Sequence, residues 1–319
     1  MPVIDLSSSV SETLRKIDYG DRAVVCCSGG VDSIVLAFLI KDLVHDLHVV
    51  IVDHRLRPNS LDEALLTRDY LEQNGFRKVV ILAWEHDEIK SGIEEKARDA
   101  RYELIGKYCN KYNIRWAFLA HHLDDQIETF LMRLCRGSGI VGLACMNKTM
   151  VRDGITFVRP LLHNTKAQII EYAKSNNLLW TEDETNADTK FTRNHIRDIL
   201  SKIDDKGALV QNISCTISAI KNDVEILELH TKNLFDLYCK KYDNYVIIFE
   251  EAQNLQKLIN PEIYRLFSYI CKQIVPNWEA RGYQISEAID KLTIKNGFTL
   301  GGVKVSSKRG AIYFEKEFV

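Results

Sequence analysis

The stretch that decides the fold is RAVVCCSGGVDS, residues 22 to 33. The apolar run after Arg22 is rich in valine, which is typical of a strand buried on both faces of a parallel sheet. A turn with two adjacent glycines follows and opens an amphipathic helix. Such a turn leaves backbone N–H groups free beside the positive end of a helix dipole, so the stretch predicts a binding site for an anion.

The turn carries an aspartate where a phosphate loop often carries a lysine. The lysine of the G-x-x-x-x-G-K-[ST] pattern is absent, and Asp32 stands in the loop instead. A carboxylate beside phosphates needs either Mg²⁺ or a basic partner. The alternative is a strand-to-helix turn whose glycines serve only the backbone. We favour phosphate binding by the whole turn, with either Mg²⁺ or a base as the partner of Asp32; the residues of the turn are Ser28, Gly29, Gly30, Val31, Asp32 and Ser33.

The first 200 residues alternate between apolar runs and helical periodicity, which predicts an α/β fold with a doubly wound, mostly parallel sheet. The predicted strands are 22–27, 48–54, 78–84, 114–122 and 155–162. The predicted helices are 33–44, 60–74, 92–112, 123–136 and 165–177.

Near residue 205 this alternation stops, and long helical patterns follow. We therefore predict a nucleotide-binding catalytic domain over 1–204 and a smaller, mainly helical accessory domain over 205–319. The predicted elements of the second domain are helices 208–240, 254–274 and 284–293, a strand 244–250 and a terminal β meander.

Composition fits an ordinary globular protein of 319 residues, 46% hydrophobic and 27% charged. No apolar run approaches the roughly 20 residues that cross a bilayer, and the N-terminus lacks the layout of a signal peptide, so we expect no membrane and a cytoplasmic location. The eight cysteines include no C-x-x-C pair and are interpreted as buried hydrophobes. A net charge of −2 provides no overall electrostatic attraction for a polyanionic partner.

A second group of polar residues follows the predicted strand that ends at His122. Asp125 and Glu128 are three residues apart, and Asp124 and Glu128 four apart, so their carboxylates share one helix face. Ligands of such sheets bind at the carboxyl ends of the strands, where the Ser28 turn also lies. We therefore predict a common crevice for Mg²⁺ or an ammonium-bearing substrate; helix capping by Asp124 and Asp125 is the alternative.

The Ser28 turn resembles the signature of the ATP-pyrophosphatase, or PP-loop, superfamily. Further strings narrow this to a resemblance to the tRNA(Ile)-lysidine synthase family over about residues 20 to 200. These strings are VDHRLRP (52–58), EKAR (95–98), RY (101–102), HLDDQ (122–126), ET (128–129), RGSG (136–139), GL (142–143), RPL (159–161), DETN (183–186), RN (193–194) and IR (196–197).

The resemblance implies ligation of L-lysine to C2 of the wobble cytidine, position 34, of the CAU-anticodon tRNA(Ile). ATP would first adenylate the cytidine and release pyrophosphate; lysine would then displace AMP. A homodimer is a further expectation that rests on the resemblance alone.

The resemblance also implies roles for particular residues. Asp32, Asp125 and Glu128 would be catalytic, the last two beside the lysine ammonium groups. Asp53 and Arg57 would border the adenosine pocket. The residues expected to steady phosphate or tRNA are Arg101, His122, Arg193 and Arg197.

Structural interpretations stay open for several of these residues. His122 and His54 are equally suited to structural roles, and Arg193 and Arg197 are spaced as on an ordinary solvated helix face. A basic patch near the end of the chain suits tRNA phosphates or plain solvation; it comprises Lys291, Lys295, Lys304, Lys308 and Arg309.

Two rival functions share the nucleotide loop. A tRNA sulfurtransferase would need a reactive cysteine pair or an iron–sulfur site, and Cys26 and Cys27 border the loop. A nucleotide-binding regulator without turnover would keep the loop but have no need of Asp125 and Glu128.

Overall fold

The computed structural model describes residues 6–17, 19–87, 89, 91–181, 192–203, 206–243, 245–248, 260–275, 278, 284–285, 287, 297–308 and 311–317. The chain divides into two compact units, 1–220 and 221–319. None of the described helices is long and apolar enough to cross a membrane.

Within the described residues of the first unit, six strands form one sheet. They are β1 (Arg22–Cys26), β2 (Asp46–Asp53), β3 (Val79–Ala83), β4 (Trp116–Phe118), β5 (Thr149–Arg152) and β6 (Ile155–Val158). The spatial order is β3-β2-β1-β4-β6-β5, and β5 pairs antiparallel with β6 while the other pairs are parallel. This confirms the predicted α/β fold with a mostly parallel sheet.

Helices cover both faces of this sheet. They are α1 (Leu6–Arg15), α2 (Val31–Ile40), α3 (Ser60–Gln73), α4 (Ile93–Lys111), α5 (Leu123–Cys135), α6 (Ile140–Leu143), α7 (Lys166–Ser175) and α8 (Thr192–Ser201). The fully buried Val25 packs in the core that includes α1, α2, α3 and α7, whereas Val24 packs in the core that includes α4. Alternate residues of β1 thus face opposite cores, which is why the run is apolar throughout.

Helix α1 and strand β5 are among the elements of the first unit that were not predicted. Helix α1 buries Leu6, Val10 and Leu14, which recur every four residues on one face. Strand β5 pairs with β6 across a tight turn in which Asp153 and Gly154 both have positive φ, 51° and 78°. The Asp-Gly pair is a recognised hairpin sequence. The strand predicted over 155–162 is present as β6, but it ends at Val158 and not at residue 162.

The second unit contains a five-stranded antiparallel sheet in its described residues. Its strands are β7 (Cys239–Lys241), β8 (Tyr245–Ile248), β9 (Gly297–Leu300), β10 (Val303–Lys308) and β11 (Ala311–Lys316), in the order β7-β8-β11-β10-β9. Its helices are α9 (Lys206–Tyr238), which begins in the first unit, and α10 (Asn260–Ile274). The predicted helix over 284–293 falls largely outside the described residues.

Helix α9 contributes to the core of the first unit before the units divide. Ile213 and Ile217 are buried against Leu123, Ile127 and Phe130 of α5. The compact units divide between Ile220 and Lys221, inside this helix. The predicted domain boundary at residue 205 stays a prediction.

The Asp46 carboxylate links the amino-terminal ends of β1, β2 and β3. Its carboxylate accepts hydrogen bonds from Arg22 Nε (2.7 Å) and Lys78 Nζ (2.6 Å), and His48 Nε2 lies 3.3 Å away. The hydrogen bond from Lys78, followed by that from Arg22, lowers the pKa of Asp46 to about 2 against the opposing effect of burial.

Asp46→Asn should lower the free energy of unfolding at pH 7 by about 1 kcal/mol, because it removes a charge that two cations share. Since the folded-state pKa is depressed, this stabilisation is complete above the unfolded pKa near 4 and is lost as pH falls toward about 2. Urea denaturation from pH 7 to pH 2 measures both effects. Asp42→Asn, an exposed aspartate nearby, is the control; equal losses in the two variants would contradict this role of Asp46.

Candidate active site

The loop between β1 and α2 is closed by the hydroxyl of Ser33. This buried hydroxyl accepts a hydrogen bond from Ser28 N (3.0 Å) and donates to the Gly30 carbonyl (2.9 Å). Its proton is therefore used within the loop, and Ser33 shapes the loop rather than offering a donor to a ligand. The first N–H groups of α2 have no acceptor inside the helix, so the turn keeps the predicted anion-binding character.

Gly29 is required by both conformation and space. Its φ of +87° lies in the left-handed region, and a Cβ at this position would lie 2.5 Å from Thr67 Oγ1 of α3. Its carbonyl accepts a hydrogen bond from Thr181 N (3.0 Å). The loop therefore packs directly against α3, and only glycine fits.

Asp32 has a basic partner in the structure. Lys166 Nζ, at the start of α7, lies 2.7 Å from each oxygen of the Asp32 carboxylate. The sequence left two explanations for a carboxylate in this loop, a metal ion or a base, and the structure supplies the base.

His122 lies among three carboxylates at the end of the β4 segment. Its Nε2 is 3.7 Å from Asp32 Oδ2 and 3.6 Å from Asp125 Oδ2, and its Nδ1 is 3.5 Å from Asp124 Oδ2. Burial lowers the pKa of the imidazole, but the interaction with Asp124 and the charges of Asp125 and Asp32 outweigh it, so the pKa of His122 is raised. The structure thus places between the loop and α5 an imidazole whose protonated form is favoured by the surrounding carboxylates.

The two aspartates at the start of α5 have structural partners. Asp125 Oδ2 accepts a hydrogen bond from His122 N (3.0 Å), as a helix-capping residue does. Asp124 Oδ2 accepts from Lys166 N (2.7 Å). Burial opposes ionisation of Asp124, yet the nearby His122 imidazole and the hydrogen bond from Lys166 N prevail and lower the pKa of Asp124. Asp125 thus has the capping role that was the alternative, and its carboxylate still lies in the crevice beside His122.

Glu128 and Arg197, both predicted site residues, form a bidentate ion pair. Arg197 Nε lies 2.5 Å from Oε1 and Nη2 lies 3.2 Å from Oε2 of the buried Glu128. The hydrogen bond to Glu128 is the main reason why the pKa of Arg197 is raised, and the charges of Asp125 and Asp32 add to it. Helix α8 is thereby attached to α5 beside the crevice.

Near the end of β2, Asp53 and Arg57 bond to different residues. Asp53 is buried and its Oδ1 accepts from Arg55 N (2.9 Å), while Oδ2 has no hydrogen-bond partner among the described residues. Arg57 instead bonds to Glu63 (3.1 Å). An orphaned buried acceptor suits a ligand that donates a hydrogen bond, such as a ribose hydroxyl.

A second, positively charged group lies on the α4 side of the same strand ends. Burial, with the charges of Arg159, Arg98 and Arg101, lowers the pKa of His121 to about 3. Burial and Arg101 likewise lower the pKa of His54 to about 4. The Nδ1 atoms of both histidines have no hydrogen-bond partner among the described residues. Three guanidinium groups thus lie near two neutral imidazoles. One of them, Arg159, is buried and donates a hydrogen bond to the Asn147 carbonyl (2.7 Å).

Known proteins resemble this chain along much of its length. A family model described as a PP-loop domain matches residues 5–203. A tRNA(Ile)-lysidine synthase of Wolbachia pipientis wMel is 38% identical over 223 residues, which cover 68% of this chain and 52% of the relative. That of Rickettsia felis is 30% identical over 317 residues, which cover 93% of this chain and 70% of the relative. The chain belongs to the tRNA(Ile)-lysidine synthase family.

The chain spans about half the length of several curated members of this family that it matches. Among solved structures, the U34-tRNA thiolase NcsA from Methanococcus maripaludis superposes with a TM-score of 0.55 at 16% identity, over 67% of this chain and 78% of the thiolase. At that identity the likeness concerns the fold alone.

For a member of the tRNA(Ile)-lysidine synthase family, sequence reasoning missed two charged residues, Lys166 and Arg159, and the neutral imidazole of His121. Lys166 comes directly after the helix cap Thr165 and looks like an ordinary first-turn residue. His121 lies near the end of the predicted strand 114–122, so the rule that ligands lie at carboxyl strand ends could have found it. Arg159 falls inside the predicted strand 155–162 and follows a strand end only because β6 stops at Val158.

Arg193 lies in α8, but its side chain and residues 183–186 lie outside the described part of the chain. Its predicted role stays a prediction. In the described residues, no three His, Cys, Asp or Glu side chains are grouped as a metal site.

Gly29→Ala should weaken ATP binding at least about tenfold, because the added Cβ must displace Thr67 or the loop at a positive φ. Isothermal titration calorimetry measures this. Gly20→Ala, at a φ of +62° with no atom near its Cβ, controls for the backbone conformation alone. Adding Thr67→Ala to Gly29→Ala should restore part of the affinity; weakening by Gly20→Ala as large as by Gly29→Ala would contradict the steric explanation.

Arg197→Met should lower the free energy of unfolding by about 3 kcal/mol, because it leaves the buried Glu128 carboxylate without its partner. The exposed pair of Lys202 and Asp198 next to it in sequence provides the control, and Lys202→Met should cost about 0.5 kcal/mol or less. Chemical denaturation compares the two variants. A loss as small as that of the control would show that Glu128 does not depend on Arg197.

Proposed function

We propose that the protein ligates L-lysine to C2 of the wobble cytidine, position 34, of the CAU-anticodon tRNA(Ile), with ATP as the energy source. The products would be lysidine, AMP and pyrophosphate, and codon reading would change from AUG to AUA. Membership of the family supports this proposal. The observation that carries it is the convergence of the Asp32 loop with the α5 carboxylates in one crevice.

ATP would bind at the loop from Ser28 to Ser33, where the start of α2 attracts phosphate. Asp32 fits Mg²⁺, because this ion takes one or two protein carboxylates and completes its shell with substrate phosphates and water. When bound, the ion would neutralise charge that develops on the phosphates. The orphaned Asp53 Oδ2 supports binding of the nucleoside nearby.

In the first step, cytosine O2 would attack the α-phosphorus, the bond to the β-phosphate bridging oxygen would break, and pyrophosphate would leave. The positive group of Arg98, Arg101 and Arg159 supports the binding of a polyanion beside the loop. Holding cytidine and phosphate together converts a bimolecular reaction into an effectively unimolecular one.

In the second step, the lysine ε-amine would attack C2, and AMP would leave with the O2 oxygen. The amine must first lose a proton, because an ammonium group has no lone pair. Asp125 and Glu128 provide the negative charge that would position the ammonium. Arg197 occupies one edge of Glu128, so the substrate would share this carboxylate with a fixed guanidinium.

The remaining proposals concern partners. Arg101, His122, Arg193 and Arg197 would serve phosphate or tRNA, and the second unit would bind tRNA. Of the terminal basic residues, Lys304 is exposed on β10, while Lys291, Lys295 and Arg309 lie outside the described residues. A cytoplasmic location and a homodimer belong to the same proposal.

The thiol environments disfavour the rival sulfurtransferase. Burial raises the pKa of the Cys26 and Cys27 thiols. Sulfur chemistry needs a thiolate, which a raised pKa makes scarce near neutral pH. The regulator hypothesis gives no reason for the carboxylates of α5 to face the loop.

Incubation with ATP, labelled lysine and an unmodified CAU-anticodon tRNA(Ile) transcript should transfer label to the tRNA. Asp32→Ala should reduce the rate by about 10²-fold or more, because the charge on the nucleotide is no longer balanced by a metal held at Asp32. Asp42→Ala, an exposed aspartate just after α2, is the matched control. A transcript with uridine at position 34 should accept no label. Absence of label with the cytidine transcript, or unchanged ATP consumption by Asp32→Ala, would refute the proposal.

A further inference from the structure

Lys166 connects the loop after β1 to the start of α5. Its backbone N–H donates to Asp124 Oδ2 (2.7 Å), and its ammonium bonds both oxygens of Asp32 (2.7 Å each). The backbone of Lys166 therefore binds Asp124 of α5, and its side chain binds Asp32 of α2. The backbone half is fixed further by the Thr165 cap, in which Thr165 and Gln168 bond reciprocally.

The Lys166 ammonium neutralises the charge of Asp32 in the nucleotide-free protein. Asp32 is a negative charge at the place where the helix dipole and the loop attract phosphate, so an unpaired Asp32 would repel a nucleotide. The pair with Lys166 is close to neutral. A polyphosphate can approach this pair more readily than a bare carboxylate.

The same pair is suited to exchange. The Lys166 side chain is 36% exposed and has a flexible aliphatic stem, while its backbone is held by Asp124 and by the Thr165 cap. The ammonium can thus leave Asp32 without any movement of α7. A divalent cation that arrives with a nucleotide carries more charge than the ammonium and competes for the same two oxygens.

We infer that Lys166 is an exchangeable counter-ion of Asp32: its ammonium holds the carboxylate in the free protein and moves to the phosphates when a metal ion of the nucleotide takes the carboxylate. This inference rests on the proposed use of ATP. It gives the loop the lysine that its sequence lacks, supplied from a distant helix. The rival is a static ion pair with a purely structural role.

The test measures two affinities that exchange moves in opposite directions. Mn²⁺ binding to the nucleotide-free full-length protein is followed by electron paramagnetic resonance. Binding of α,β-methylene-ATP with Mg²⁺, an analogue that resists cleavage between the α and β phosphates, is followed by calorimetry. Lys166→Met should bind Mn²⁺ at least about threefold more tightly, because Asp32 loses its competitor. It should bind the analogue roughly tenfold more weakly, because one charge-assisted contact is lost.

Three controls assign these effects. Lys174→Met, in the exposed last turn of the same helix, should change neither affinity. Lys166→Arg should keep the Mn²⁺ affinity close to that of the unaltered protein. With Asp32→Asn present, Lys166→Met should no longer strengthen Mn²⁺ binding. As a further check on the ligand side, AMP, which lacks the β and γ phosphates, should lose less affinity in Lys166→Met than the analogue does.

Equal weakening of both affinities, or no change in either, would overturn the inference and leave a structural pair. Lys166→Gln, which keeps a polar group, replaces Lys166→Met if circular dichroism shows that the methionine variant is unfolded. Neither affinity depends on tRNA or lysine. Failure of lysine transfer with intact opposite shifts would therefore count against the proposed function and not against the exchange.

Discussion

The parallel pairing of β1 with β4 brings Asp32 together with His122 and the carboxylates of α5. Val24 lies opposite Ala117 and Val25 opposite Phe118, so the two strands end side by side. The segments that leave these strand ends must then share one space: the Asp32 loop after β1 and His122 with α5 after β4. Because β1 and β4 are far apart in the chain, this proximity is a property of the sheet and not of any local motif.

His121 and His122 show how sharply this sheet edge separates charge. They are neighbours in sequence, yet the pKa of His121 is lowered to about 3 and that of His122 is raised. The first faces arginines on the α4 side, and the second faces aspartates on the α2 side. The crevice thus has a basic half and an acidic half, which suits a reaction that must hold a polyanion and an ammonium group at once.

The fold and the carboxylates of α5 could be predicted from the sequence because both depend on local patterns of residues. The strands are continuous apolar runs, and Asp125 and Glu128 share a helix face by spacing alone. The partners of the site carboxylates could not be predicted from such patterns. Lys166 is 134 positions from Asp32, and Arg197 is 69 positions from Glu128, so only the folded chain reveals the pairs. Charge patterning within one helix carries no information about such distant neighbours.

The first turns of α9 have a consequence for truncation. Ile213 and Ile217 pack against the buried apolar residues of α5, the helix that also carries Asp125 and Glu128. A shortened chain that stops at residue 204 would leave Leu123, Ile127 and Phe130 in water, although every charged residue of the crevice would still be present. The smallest fragment that keeps the apolar residues of α5 buried therefore extends to about Ile220, past the point where the alternation of strands and helices ends.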